Sequence, residues 1–364
     1  MKKYLTLIIV LGAMVFPLQK ALADGTYTDV IERFGSEFVI PAYRALLTAS
    51  EAMDKAAHAL CATPSKNTLE AARGAFKDLM VNWSYAEVIR IGPIREQGRL
   101  ERIFFWPDVR SRGLKQVERR LNEEPEKLSK SLQNMKHTSV ATQGLPALEF
   151  LLFPKPGDVT KQFIGTGSRC SFVKAITGNI RNISRELTDG WVGPWGYHAL
   201  MKSHGPENPI YRNEDEVMQD IIKMPVELLQ LLDASKIGSS LGKSAGKPKP
   251  KRAPFWRSGL TLTGFSKNIE AVEDLFKVIN LDSLIEDEDA HLGNSFQFEN
   301  RQAKETFAEL MVKETTWTDL VISSVGYEKL QYVQFPIRGM RSLLSEDYPQ
   351  TLGFQLGFNS LDGD

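Results

Sequence analysis

The stretch from Gly144 to Phe153, GLPALEFLLF, limits what this chain can fold into more than any other. Apolar residues at 145, 148, 151 and 152 recur at helical spacing, and Ala147, Phe150 and Phe153 fill most of the remaining circumference. A helix that is apolar nearly all round is a buried helix. Its one ionisable side chain is Glu149. A carboxylate placed there needs a cation, a metal ion or hydrogen-bond donors, because burying it charged and unpaired is very costly. Two readings meet that need: a structural carboxylate paired with an Arg, or one member of a ligand site. Pro146 has no N–H to donate, so it is expected in the first turn or at a kink.

The rest of the chain supplies helices to bury this one. Apolar periodicity is helical over residues 27–60, with a bend expected near Pro41, and over 68–91, where Leu69, Ala72, Phe76, Leu79, Met80 and Trp83 share a face. Further helices are expected over 168–189, 214–237, 260–279, 297–313 and 317–345. Residues 94–108 and 113–134 read as irregular or short-helical, and 238–254, rich in Gly, Ser, Lys and Pro, as an exposed loop. Long strands of period two are lacking. The expected fold is all-α, with two four-helix bundles in tandem over 24–191 and 192–364, divided at Trp191–Trp195.

Lys2 and Lys3, an apolar run from Tyr4 to Leu18 and Ala21-Leu22-Ala23 make residues 1–23 a signal peptide, cut before Asp24. No Cys stands near the cut, so no lipoprotein attachment is expected, and no later stretch has the roughly 18 apolar residues of a transmembrane helix. The expected address is a bacterial periplasm. Cleavage removes three of the 45 basic residues and none of the 45 acidic ones. The slightly acidic remainder lacks the basic footprint of a nucleic-acid binder. Cys61 and Cys170, an even pair in an oxidising compartment and outside any CxxC motif, predict one disulfide.

Common catalytic signatures are absent from the sequence: no HExxH, no GxSxG, no phosphate-binding loop. His204 and Glu207 have HxxE spacing, but the Gly205-Pro206 between them breaks the helix that would align them. The acidic run Glu286–Asp289 reads as a solvated loop. Two other segments gather polar groups. Arg99, Glu101 and Arg102 lead into Trp106-Pro107-Asp108, either a site or a salt-bridged corner capped by Trp. The terminal GFNSLDGD brings Asn359 and Asp362 onto a glycine-flanked segment able to aim oxygens at a hard cation. Its alternative is a frayed tail, against which Phe354, Leu356 and Phe358 argue for docking.

In this order the segments resemble the imelysin family. The pieces that match are Trp83, Phe105-Trp106-Pro107-Asp108, Gly144-x-Pro146-x-x-Glu149, Trp256-Arg257-Ser258-Gly259 and the terminal Gly357–Asp364. The resemblance implies two four-helix bundles with a site between or beside them. The family signature is GxHxxE, and here Pro146 stands where the His would be. A site of Glu149, Asp108 and Asp362 would be all-oxygen, which suits ferric iron, manganese(II) or calcium better than zinc. The resemblance therefore implies a non-enzymatic periplasmic binding protein linked to iron or metal acquisition, taking a metal ion or metal chelate and meeting a periplasmic or membrane uptake partner. Arg99 or Arg102 would neutralise Glu149 or hold an anionic chelate, with Trp106, Ser258 and Asn359 lining the ligand. A metallopeptidase, as the family name suggests, and a metal-free protein-interaction module are the alternatives.

Overall fold

The structure, a computed structural model, describes residues 25–108, 110–154, 160–164, 167–312 and 316–356. The expected signal peptide and the terminal segment with Asn359 and Asp362 lie outside them. No strand occurs among the described residues, and the fold is all-α.

Local chemistry explains where the helices start. Ser65 caps the Lys66–Ala86 helix: its hydroxyl accepts from Thr68 N–H at 3.1 Å, and the Thr68 hydroxyl accepts from Ser65 N–H at 3.0 Å. Asn213 caps Glu214–Gln230, where Glu214, Asp215 and Glu216 fill a first turn that favours negative charge. The expected first helix runs from Tyr27 to Ala62, with a π-helical turn over Phe34–Val39 just before Pro41. Such a turn admits the extra residue that a strict α-helix would exclude. The expected 317–345 helix is interrupted. It ends at Ile322 and restarts at Ser324, with the Ser323 hydroxyl accepting from Gly326 N–H at 3.1 Å. A Cβ at Gly326 would lie 2.2 Å from the Leu320 carbonyl, so the tight turn requires glycine. The expected loop over 238–254 is not exposed throughout, because Ala253 and Pro254 are buried.

Three helices carry the N-terminal part: Ile40–Ala62 packs on both Lys66–Ala86 and Ser168–Trp191. Cys61 and Cys170 join the first of these to the third, Ile40–Ala62 to Ser168–Trp191, as a disulfide. Nearby, Asp54 accepts from Thr177 Oγ1 at 2.7 Å and from Arg181 at 2.6 Å. The helix Leu145–Leu152 lies against Lys66–Ala86 and Ser168–Trp191, and six of its eight residues are buried, as its composition requires. Lys66–Ala86 also packs on Thr261–Ile279, which contacts His291–Val312, and that helix pairs with Ser324–Ser342. The buried apolar side chains thus form one cluster reaching from Val30 to Tyr348. No described helix is long and apolar enough to cross a membrane.

At the junction of Lys66–Ala86 with Thr261–Ile279, Lys236 is buried. It stands in a second π-helical turn, Leu231–Gly238. Its ammonium donates to Glu87 at 2.5 Å and to Asn268 Oδ1 at 2.7 Å. The Asn268 amide donates in turn to the Ser84 carbonyl at 2.7 Å and to Glu87 at 3.1 Å. Burial lowers the Lys236 pKa while Glu87 opposes the shift.

Two outcomes follow. Reducing Cys61–Cys170, which closes a separation of 109 residues, removes about 4–5 kcal/mol of stability on the chain-entropy view, readable by calorimetry with and without reductant. Lys236→Met takes the close cation from the buried Glu87 carboxylate, leaving only Arg90 at 3.9 Å and the Asn268 amide, and costs about 3–5 kcal/mol in denaturant unfolding. Adding Glu87→Gln recovers part of that loss, whereas a surface pair would show neither effect.

Candidate functional site

Gly144 opens the buried helix, and the chain from Arg102 to Asp108 crosses directly over it. A Cβ at Gly144 would meet the Ile103 carbonyl at 2.1 Å, so the crossing is possible only at glycine. Pro146 falls in the first turn. One helical turn later, Glu149 is 5% exposed and faces a turn far along the chain. Its Oε1 accepts from Ser258 N–H at 2.9 Å and from the Ser258 hydroxyl at 2.7 Å. Burial raises the Glu149 pKa above its ordinary value; the Ser258 bonds, the Arg257 charge and the Arg257 peptide N–H oppose that shift.

The turn carrying Ser258 is closed on itself. Leu260 N–H donates to the Phe255 carbonyl at 3.0 Å, and the Ser258 hydroxyl lies 3.1 Å from the same oxygen. Phe255 has φ +58°, a left-handed conformation that costs a bulky residue about 1–3 kcal/mol. In that conformation its ring stacks on Phe104 with centroids 5.4 Å apart, and Phe104 stacks on Trp106 at 6.2 Å. Trp106 Nε1 donates to the Arg252 carbonyl at 3.2 Å, tying the Arg102–Asp108 crossing to the later segment.

These rings wall a cavity of about 250 Å³ that Glu149 and Asp108 both line. Asp108 is engaged as a helix cap: Arg112 N–H donates to one oxygen at 2.8 Å, and Gly113 and Leu114 N–H to the other at 2.9 and 3.3 Å. Lys251, Arg252 and Arg257 complete the wall. The Arg257 guanidinium lies 4.5 Å from the Trp256 ring centre and 5.1 Å from that of Phe150.

The residues singled out from sequence fall into groups. Glu149, Ser258, Trp106 and Asp108 come together. Arg99 is spent elsewhere, on Glu186 at 2.8 Å, Glu96 at 3.1 Å and the Pro93 carbonyl at 2.7 Å. Arg102, also buried, donates to Gln143 Oε1 at 2.9 Å and Asn179 Oδ1 at 2.8 Å, bracing the approach to Gly144. The cation beside Glu149 is Arg257, whose place next to Ser258 in the Trp256–Gly259 match was the signal for it. Lys251, Arg252 and Phe255 had no such signal, being part of a stretch that composition marks as loop. Among the described residues, no group of three or more His, Cys, Asp or Glu side chains could hold a metal ion.

A family model for imelysin matches residues 39–334. The chain belongs to the imelysin family. No curated protein sequence matches it. Among solved structures, an imelysin-like protein from Psychrobacter arcticum 273-4 is 16% identical with a TM-score of 0.70, and the match covers 93% of this chain and 100% of that one. A second, from Parabacteroides distasonis ATCC 8503 and provisionally described as an iron-regulated protein A precursor, is 15% identical with a TM-score of 0.69, covering 91% and 97%. At these identities the imelysin relatives share the fold.

The raised Glu149 pKa has a defined sign. Below its ordinary 4.5 the carboxyl is protonated in both folded and unfolded chains, and its contribution to stability is whole. As pH rises through the folded value, the buried charge is penalised and that contribution is lost. Glu149→Gln cannot ionise, so its melting temperature relative to the parent climbs as the pH rises from 4.5 through the folded value. A difference that stays constant across this window would show an unperturbed carboxyl.

Proposed function

We propose that this imelysin-family chain is an exported, non-enzymatic binding protein serving iron or other metal acquisition, with its ligand held in the cavity at Glu149. The observation that carries the reading is a buried carboxyl in a cavity wall, completed by a Ser258 lying 109 residues further along the chain. Buried, perturbed carboxyls in concave sites are functional far more often than chance placement would give. The relative described as iron-regulated supports the metal connection, and the Lys2-to-Ala23 pattern supports export to the periplasm and delivery to an uptake partner.

The donor set favours a metal that arrives already chelated. Asp108 is occupied by peptide N–H groups and Glu149 Oε1 by Ser258. Pro146 offers no ligand atom where the family signature has His. The described residues therefore lack a full coordination sphere for a bare ion, and the missing oxygens belong to the cargo's own chelator. The same substitution weakens a metallopeptidase reading, in which a nitrogen ligand would hold the catalytic ion.

Elemental analysis of protein purified from its native source tests this. Stoichiometric iron or another metal is expected in the parent and is lost in Glu149→Ala with helicity retained. Metal equal in both would remove Glu149 from the site, and none in either would favour the interaction-module alternative.

A further inference from the structure

The cavity is cationic and aromatic at once, although the whole chain balances 45 basic residues against 45 acidic ones. From Ala234 to Ile269 the sequence contains no Asp or Glu, while Lys243, Lys247, Lys249, Lys251, Arg252 and Arg257 crowd its middle. The last three reach the cavity. No described carboxylate forms an ion pair with any of them. Arg99, Arg181 and Arg338, by contrast, each meet a carboxylate: Glu186, Asp54 and Asp233. Positive charge with no described carboxylate in ion-pair contact thus lines this cavity.

Arg257 is the best-positioned of the three. Its flat guanidinium rests against Trp256 and Phe150, which fixes its plane and leaves the N–H donors on its rim unused by any described side chain. Lys251 approaches the same Trp256 ring at 5.4 Å. The apolar Trp106–Phe104–Phe255 stack lines the same cavity and offers an aromatic surface to a flat partner. At about 250 Å³ the space is below the roughly 300–1,000 Å³ of drug-sized pockets, and so takes one substituted ring.

We infer that the cavity recognises a small aromatic carboxylate bearing a ring hydroxyl. Its charge meets Arg257 with Lys251 and Arg252, its ring lies on the Phe104 stack, and its hydroxyl bonds Glu149. This rests on the binding-protein reading above and names the cargo's recognised part. Adjacent carboxylate and hydroxyl oxygens on a ring also chelate hard cations, so such an acid supplies the ligands that the cavity lacks.

Titration calorimetry of the full chain with salicylate tests it, beside salicylamide (same shape, no charge), benzoate (no hydroxyl) and manganese(II) alone. Salicylate is expected to bind, and salicylamide to bind about ten- to a hundred-fold more weakly, the scale of one charge-assisted bond. Benzoate falls between the two. Arg257→Gln reduces salicylate affinity by a similar factor while leaving salicylamide unchanged, and the ligand comparison on the parent protein stands even if that variant fails to fold. Equal binding of salicylate and salicylamide overturns the inference. So does manganese binding that depends on Glu149 with no ring acid bound, an outcome that leaves the metal-acquisition reading intact. Binding of neither ring acid nor metal overturns both.

Discussion

The buried contact between Lys236 and Glu87 is the constraint on which the rest of this molecule depends. Taking both charges out of water is expensive, and only close geometry with further hydrogen bonds offsets it. Asn268 supplies those bonds, and through them the Lys66–Ala86 and Thr261–Ile279 helices and the 231–238 turn share one fixed junction. A purely apolar junction would tolerate sliding of these helices. This one has a single satisfying register. The Lys236 ammonium also lies 5.8 Å from the Phe104 ring, so the same junction sets the position of the aromatic stack behind the cavity.

From that junction outwards, the site is an assembly of segments that are individually ordinary. Gly144 lets the Arg102–Asp108 crossing approach the buried helix, Arg102 braces that approach through Gln143 and Asn179, and Trp106 hooks the crossing to the Arg252 carbonyl. Phe255, bent into its left-handed conformation, delivers both a ring to the stack and Ser258 to Glu149. Each element sets one wall, and none carries the chemistry alone.

Much of this was legible before any coordinates. The all-α class, the burial of Glu149, Pro146 in a first turn and the Cys61–Cys170 pairing all follow from periodicity, helix physics and cysteine count. What sequence could not assign were partners. Arg99 and Arg102 were near Trp106 in the chain, but helix Arg99–Ile103 turns them towards Glu186 and Asn179. Arg257 was farther away in sequence and is the cation that acts on Glu149. Periodicity reports which face of an element is buried and is silent on which distant segment covers it. Loop composition misled for the same reason: Ala253 and Pro254 sit in a Gly-, Lys- and Pro-rich stretch, yet tertiary packing draws them inside.

The Glu149–Ser258 bond has one consequence for how such a chain can be assembled or cut. The helix with the carboxyl is complete by Leu152, whereas the turn that satisfies it begins only at Phe255. A product truncated between Cys170 and Phe255 would contain both cysteines and the apolar helix, but a carboxyl with no donor and a cavity missing a wall. Competence at this position is therefore a property of the finished chain alone, and the unpaired carboxyl is a built-in mark of an unfinished one.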